Sequence, residues 1–206
     1  LFMAVLMVVG ILPLSMLTGI FSSKVAAATK TYSFDATALT TEKDKETISG
    51  KVADDYVTVF GTVQKRVKKD TVTVIATELA KSAASGYEFT VTGTATAKIM
   101  ISSTGGSNES QFTLIDAKGE TVASKDGKSV ISVTGTTGTE VNYELEAGTY
   151  KMVSAKEFTS RGVRVISFEI AETPKTVTKE YHFDATTLTT EKDKETISGK
   201  VADDYV

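Results

Sequence analysis

Residues 87–101 read YEFTVTGTATAKIMI and contain the pattern that decides the fold. Apolar side chains fall at every second position in 87–91, and the same alternation resumes in 95–101 after a Gly-Thr break. A period of two residues is typical of half-buried β-strands, which turn one face to a core and the other to water. The stretch therefore predicts two consecutive strands of a sheet with one solvated face.

The same alternation continues on both sides of this stretch, and turn-forming pairs such as Ser-Gly and Asp-Gly separate its segments. Short strands separated by such turns every ~8–12 residues predict an all-β, two-sheet, jelly-roll-like β-sandwich rather than βαβ units. Segment 77–85, TELAKSAAS, is predicted as a short helical turn or an ordered loop. The further predicted strands are 31–35, 56–60, 64–68, 71–76, 111–116, 120–123, 130–134, 140–145, 149–154 and 162–170.

A long repeat sets the domain organisation. Residues 29–57 return at 178–206, and the copies begin 149 residues apart. This offset is the size of an ordinary domain, so the repeat indicates tandem globular modules. We expect a module at 29–173, a linker at 174–177, and the truncated start of a second copy at 178–206, with the neighbouring copy as a partner. Only three aligned pairs differ, namely Thr31/Glu180, Ser33/His182 and Ala38/Thr187.

The amino-terminal segment predicts export. Residues 1–21 carry no charge, and Ala26 and Ala28 supply the small residues of an A-x-A cleavage site, so residues 1–28 are predicted to be a signal peptide. An uncleaved membrane anchor is the alternative, because a span needs ~20 apolar residues. Pro13 within the run favours cleavage. A bacterial protein that is secreted, extracellular or held at the cell surface is expected, with no membrane contact after cleavage.

The composition of the chain limits the classes of partner that it is expected to bind. The chain has no cysteine, which suits a bacterial extracellular protein better than a disulfide-rich eukaryotic one. Its formal net charge is −3, and removal of Lys24 with the leader makes it −4. This mild acidity favours neither nucleic acid nor an anionic membrane surface as a partner.

Catalytic signals are weak in the sequence. The only histidine, His182, aligns with Ser33 of the first copy, and no Gly-x-Ser-x-Gly elbow is present. We therefore expect no enzymatic activity in this segment, while a catalytic domain beyond Val206 stays open. Asp54 and Asp55 are weak candidates for a structural calcium site, with a polar turn as the alternative, and no other cofactor is expected. The alternating charges of 42–46 predict a solvated loop or edge.

A polar loop offers the best binding signal in the sequence. Segment 102–111 reads SSTGGSNESQ, and its hydroxyl and amide groups match the donors and acceptors of a sugar, although a plain surface turn looks similar. Because tryptophan is absent, only tyrosines such as Tyr87, Tyr143 and Tyr150 could form a stacking platform for a sugar ring. Arg161 and Arg164, on either side of Gly162, could pair with a ligand carboxylate or lie on a solvent face. The candidate carbohydrate-binding residues are Ser103, Asn108, Ser110, Gln111, Tyr150 and Arg161.

The order of three segments resembles a known kind of module. Residues 87–103, 107–122 and 143–154 read YEFTVTGTATAKIMISS, SNESQFTLIDAKGETV and YELEAGTYKMVS. Together they resemble the β-sandwich accessory modules of secreted bacterial pectate lyases and related polysaccharide-degrading proteins. The resemblance implies a carbohydrate-binding-like sandwich. Family members commonly carry an arginine where this chain has Gln111, so the resemblance also implies weaker recognition of anionic ligands here.

The leading hypothesis is a non-catalytic secreted module that binds or associates with polysaccharide, either pectin-like or another plant or mucosal glycan. Such a module would target an enzyme or a cell to the glycan, and duplication would add avidity to a weak site. The alternative is a structural spacer or adhesin-stalk repeat at the bacterial cell surface.

Overall fold

The computed structural model describes residues 18–25, 28–68, 73–157, 159–175 and 177–184. Two compact units divide the chain, one of Ala27–Lys175 and one that combines Leu1–Ala26 with Thr176–Val206. In chain order the strands are β1 (Thr18–Val25), β2 (Lys30–Asp35), β3 (Thr47–Ile48), β4 (Lys51–Val52), β5 (Val57–Phe60), β6 (Val63–Lys68), β7 (Thr73–Leu79), β8 (Gly86–Val91), β9 (Thr94–Ser102), β10 (Glu109–Asp116), β11 (Thr121–Val122), β12 (Ile131–Thr134), β13 (Thr139–Leu145), β14 (Gly148–Ser154), β15 (Arg164–Thr173) and β16 (Val177–Asp184).

The larger unit contains two sheets, each of seven described strands. Sheet 1 has the order β13-β9-β15-β7-β6-β3, with β2 also paired to β15. Sheet 2 has the order β11-β10-β14-β8-β5-β4, with β12 also paired to β10. All of these pairings are antiparallel. The all-β class is therefore confirmed, and the arrangement is consistent with the expected β-sandwich.

Consecutive strands pass repeatedly from one sheet to the other. The chain goes from β7 in sheet 1 to β8 in sheet 2, back to β9, and over again to β10. The same crossing occurs at β13, β14 and β15. Because neighbours in sequence lie on opposite sheets, most pairings join distant parts of the chain, and the core closes only when both sheets are complete.

Aromatic side chains fill the space between the sheets. Phe34 on β2 and Phe168 on β15 face each other, with ring centroids 5.2 Å apart. Tyr87 on β8 of the opposite sheet lies 5.6 Å from the first and 5.2 Å from the second. The Tyr87 hydroxyl, which has no exposed surface, shares a 2.6 Å hydrogen bond with Thr77. This cluster joins the two sheets, and the alternating apolar residues quoted above surround it.

The prediction for 77–85 is partly wrong. Strand β7 continues to Leu79, because Thr77 pairs with Val165 on β15 and also donates to the Val165 carbonyl at 3.1 Å. Residues 80–85 form the turn, in which Ser82 and Ala83 both have a φ of 57°. The Ser85 hydroxyl accepts a 2.7 Å hydrogen bond from the Ala80 amide, and this bond stabilises the turn. Alanine and serine composition alone does not distinguish such a turn from a helical one.

The charged run 42–46 is a largely exposed loop, in line with its alternating charges, and two of its carboxylates also contact β6. The Asp44 carboxylate accepts the Val67 amide of β6 at 3.0 Å. Glu46 forms an ion pair with Lys65, whose side chain is only 1 % exposed. Hydrogen bonds from Val67 and Lys65 hold the pKa values of Asp44 and Glu46, respectively, below their usual range. The run therefore fastens the segment after β2 to the edge of sheet 1.

In the smaller unit, β1 pairs with β16 in antiparallel register from Thr18↔Asp184 to Val25↔Val177. Strand β1 falls within the predicted signal peptide, and β16 covers the start of the predicted second copy. Residues 1–17 and 185–206, on which the rest of these two predictions depends, lie outside the described residues. Among the residues that the structure describes, no helix has the length and apolar character needed to cross a membrane.

Gly86 provides a test of the close contact between β8 and β14. A Cβ atom at this position would collide with the carbonyl oxygen of Met152 on β14. We expect Gly86→Ala to lower the free energy of unfolding by about 1–3 kcal/mol, because the strands must move apart. Urea unfolding measures the loss. The control is Gly106→Ala, where a Cβ meets nothing within 4 Å, and equal effects of the two substitutions would contradict the prediction.

Candidate functional site: a polar groove on sheet 1

The outer face of sheet 1 carries a continuous set of polar side chains. On β9, Ala95, Ala97 and Ile99 are buried, so the alternating residues Thr96 and Lys98 point outward to solvent. The other strands of this half of the sheet follow the same rule. The β-strand period of two thus produces the apolar core and the polar face from a single stretch of sequence.

One row of side chains across the sheet shows how four strands together form this face. Lys98 on β9 lies opposite Asn142 on β13 and opposite Glu169 on β15. Glu169 in turn lies opposite Ser33 on β2. Adjacent strands are ~4.8 Å apart, so these four side chains form a line about 14 Å long across the sheet. Residues separated by more than a hundred positions in sequence therefore become neighbours.

Three shallow depressions follow this face, with volumes of about 310, 210 and 420 Å³. The first two share Lys98 and Glu169 in their linings, and the second and third share Thr96 and Glu144. They therefore join into one trough, which we call the groove. It has depth because small residues, including Ser167 and Ala171, line it from the central strand β15 while longer glutamates stand on β13.

The groove is acidic overall and rich in hydrogen-bond acceptors. Asn142 donates from Nδ2 to Glu140 Oε1 at 3.1 Å, which orients both side chains. Lys125 pairs with Glu144 at 2.9 Å, but both side chains are about two-thirds exposed, so the pair adds little stability. Its charged lining consists of five carboxylates and two ammonium groups, from Asp35, Glu140, Glu144, Glu146, Glu169, Lys98 and Lys125.

A buried carboxylate lies near one end of the groove but points into the sandwich. Glu172 on β15 is 3 % exposed and accepts the Thr92 amide at 2.6 Å and the Thr92 hydroxyl at 2.7 Å. Burial raises the pKa of Glu172, but the hydrogen bonds from Thr92 outweigh it and hold the pKa below its usual value. This carboxylate therefore serves the fold.

The tyrosines beside this carboxylate close the same end of the core. The rings of Tyr32 and Tyr56 stack with centroids 3.7 Å apart, and the Tyr56 hydroxyl donates to the Thr90 carbonyl at 2.8 Å. Burial, and then the neighbouring Glu172, raise the pKa of Tyr56. Because the two rings cover each other, the pair stabilises the fold and offers a ligand no open stacking face between them.

The structure brings together four of the predicted binding residues, two in the loop between β9 and β10 and two at the start of β10, but it buries two of the four. Ser103 and Ser110 have no exposed surface, and their hydroxyls lie 3.2 Å apart. Ser103 also donates to the Asn108 carbonyl at 2.6 Å, while Gln111 donates to Glu109 at 3.1 Å. These hydroxyls therefore hold the loop closed, and only Asn108 and Gln111 keep partial exposure.

Tyr150 lies at the other end of sheet 2 from this loop. It pairs with Asp116 at the end of β10, whereas Gln111 is near the start of that strand. Its ring is 8 % exposed and packs 5.8 Å from Phe89, and its hydroxyl donates to the Glu146 carbonyl at 2.9 Å. Burial raises the pKa of Tyr150. The expectation that tyrosines replace tryptophan as a platform is therefore wrong for this residue.

The other two tyrosines and the two arginines also have defined positions. Tyr87 and Tyr143 are 0 % and 1 % exposed, so they too belong to the core. Arg164 is buried, and its Nε donates to Glu78 Oε2 on the neighbouring strand β7 at 3.3 Å, so this side chain joins β15 to β7 and does not lie on a solvent face. Arg161 is exposed in the segment before β15.

The weak calcium candidates lie in the turn between β4 and β5. Asp54 and Asp55 are exposed, and their φ values of 53° and 64° place both in the left-handed region. This geometry matches the polar-turn alternative. Among the described residues, no group of three or more His, Cys, Asp or Glu side chains could hold a metal ion. The calcium site stays a prediction.

Comparisons with known proteins add the following. No protein-family model matches the chain, and no curated protein matches it. Solved structures with a likeness to the chain include the following two. A chain from a study of the Ruminococcus flavefaciens cellulosome and its expansion in glycan recognition is 12% identical, with 73% of this chain and 100% of that chain covered and a TM-score of 0.38. The CBM22-1 xylan-binding domain from Paenibacillus barcinonensis Xyn10C is 12% identical, with 73% and 97% covered and a TM-score of 0.41.

Sequence reasoning missed the groove because its residues are spread over four strands. The signal was nonetheless present in the predicted strands, whose outward positions in 95–101, 140–145 and 162–170 are mostly polar. What was missing was the knowledge that these three strands and β2 lie side by side. A binding face made of strands, unlike a loop, has no local sequence motif.

The hydrogen bonds of Glu172 in the core can be tested by the pH dependence of stability. Since its pKa is lowered in the folded state, its contribution to stability is full above the pKa of the unfolded chain and is lost as pH falls through the folded value. We expect Glu172→Gln to reduce the free energy of unfolding by about 1.5–3 kcal/mol at neutral pH. The difference from wild type should shrink below about pH 4.5, as urea unfolding across pH would show. A difference that does not vary with pH would contradict it.

Proposed function

We propose that the unit of residues 27–175 is a non-catalytic polysaccharide-binding module and that the groove on sheet 1 is its binding site. The observation that carries the proposal is the continuity of the trough across β13, β9, β15 and β2. A linear glycan presents a long row of hydroxyl groups, and an open groove lined by carboxylates, hydroxyls and an amide offers matching acceptors and donors. The resemblance to accessory modules of secreted pectate lyases supports the same reading.

The charge of the groove favours a neutral glycan over a uronate. Five carboxylates face two ammonium groups, and one of the latter is already paired. A polyanion such as pectin would bring further negative charge to this face, which like-charge repulsion disfavours. The replacement by Gln111 of the arginine common in the resembled family agrees with this preference.

Binding by one groove is expected to be weak. No aromatic ring lies on the solvent side of the groove among the described residues, since Phe34, Phe168 and Tyr143 line it from the core. Stacking on a ring would normally supply much of the affinity for a sugar. A complete second module, which the repeat predicts, would compensate, because two linked modules on one polysaccharide gain affinity through their high effective concentration. Such a module would act outside the cell, as the predicted leader requires.

A structural spacer is the second candidate function. The same lack of an exposed ring favours it, as does the ion-paired anchoring of segment 42–46, which fastens this charged segment to sheet 1. A spacer needs no ligand, so the two candidates differ in one measurable property, which is retention on polysaccharide.

The groove proposal predicts which substitutions remove binding. Affinity electrophoresis of the full chain in gels that contain xylan, a mixed-linkage glucan or homogalacturonan measures retention. We expect retention on a neutral glycan and a roughly three- to tenfold loss of affinity in Lys98→Ala and in Asn142→Ala, since each removes one or two hydrogen bonds to the ligand. Lys118→Ala, in an exposed turn of sheet 2, is the matched control and should bind as wild type.

Other outcomes separate the alternatives. Loss of binding in Asn108→Ala with full binding in both groove variants would move the site to the loop between β9 and β10. No retention of the wild-type chain on any polysaccharide at millimolar sugar would reject glycan binding and leave the spacer. Preferential retention on homogalacturonan would reject the charge argument alone.

A further inference from the structure

The few differences between the two aligned repeat segments can be located in the structure of the first copy. The 29 aligned positions of 29–57 and 178–206 differ only at Thr31/Glu180, Ser33/His182 and Ala38/Thr187. In the first copy the structure shows where each of these positions lies. All three side chains are exposed, but only two of them are on a strand of the groove.

Positions 31 and 33 are on the outward face of β2. Ser33 lines the groove and lies opposite Glu169, while Thr31 lies opposite Ala171, which also lines it. Thr29 and Asp35, two residues to either side of this pair, line the groove as well. The third position, Ala38, belongs to a 3₁₀ turn after the strand and does not line the groove.

The unchanged positions include residues with a clear structural role. On the inward face of β2, Tyr32 and Phe34 are retained, as their contacts with Tyr56, Tyr87 and Phe168 require. Many exposed positions in 40–51 are retained too. Two of the three differences therefore fall on the groove side of one strand.

We propose that positions 31 and 33 set which glycan the groove accepts, and that Glu and His at these two positions, the residues that the repeat carries at 180 and 182, would change that selectivity. This inference rests on the proposed function. A substituted hydroxyl pair on an outer strand changes the ligand contacts without disturbing the core.

Glutamate at position 31 and histidine at position 33 would both change the charge of the groove. Glutamate at position 31 adds a carboxylate to an already acidic face. Histidine at position 33 would lie beside Glu169 and Lys98, with Asp35 on its own strand and Glu140 on β13 lining the same depression. Three carboxylates against one ammonium favour the protonated imidazole. The exchanged groove should therefore gain a positive group at mildly acidic pH and lose it at alkaline pH.

The test transfers the second copy's residues into the first. Variants Thr31→Glu, Ser33→His and the double exchange are made in the full chain, in a His182→Ser background that removes the only other imidazole. Retention on xylan, mixed-linkage glucan and homogalacturonan is measured at about pH 5 and about pH 8, on either side of the ordinary histidine range. Ala38→Thr is the matched control, because it makes the third exchange outside the groove.

We expect the double exchange to change the ratio of neutral-glycan to homogalacturonan affinity by about threefold or more, which is the effect of one hydrogen bond or one exposed charge. Ser33→His should bind homogalacturonan relatively better at the lower pH, whereas the parent and Ala38→Thr should not. Binding by the parent with an unchanged ratio in every variant overturns this inference and leaves the proposed function standing. Failure of the parent to bind any glycan overturns both.

Discussion

The pairing of β9 with β15 is the interaction on which the rest of the larger unit depends. Nine residue pairs join the two strands, from Arg164↔Ser102 to Thr173↔Thr94, with one irregularity between Val165 and Ser167. This register places Phe168 beside Ile99 toward the core and Glu169 beside Lys98 toward solvent. A slip by one residue would turn both sets of side chains over, because the period of a strand is two. The apolar core and the polar groove are therefore fixed together.

This coupling explains how the surface can change while the fold is kept. Tyr32 and Phe34 on the inner side of β2 pack against aromatic rings of both sheets, so their replacement would disturb the core. Thr31 and Ser33 on the outer side contact the face and not the core. A duplicated module can thus alter its groove at small cost in stability, since exposed substitutions usually change the free energy of unfolding by less than about 0.5 kcal/mol. The copies of this chain differ in that way.

Much of the fold could be predicted from local pattern, while the site could not. The alternation in 87–101 became β8 and β9, and most other predicted strands were found within a few residues of their expected bounds. The two-residue strands β3 and β4 were missed because they are too short to show a period. Ser103 and Ser110 looked like ligand-binding hydroxyls, yet they bond to the loop itself, because a small polar side chain has the same composition signal inside a closed loop as on a surface. The groove needed Asn142, Lys98, Glu169 and Ser33 to meet across four strands.

The sequence by itself determined the strand content, the repeat and the polar or apolar side of each strand, since these follow from a period of two residues and from identity between segments. Only the tertiary structure decided which strands are neighbours, because antiparallel pairing between distant segments depends on how two sheets enclose a common core. That choice buried Tyr150 and Ser110, paired Lys65 with Glu46, and brought polar residues from β2, β9, β13 and β15 onto one face. The proposed function depends on that assembled face, which no single stretch of the chain contains.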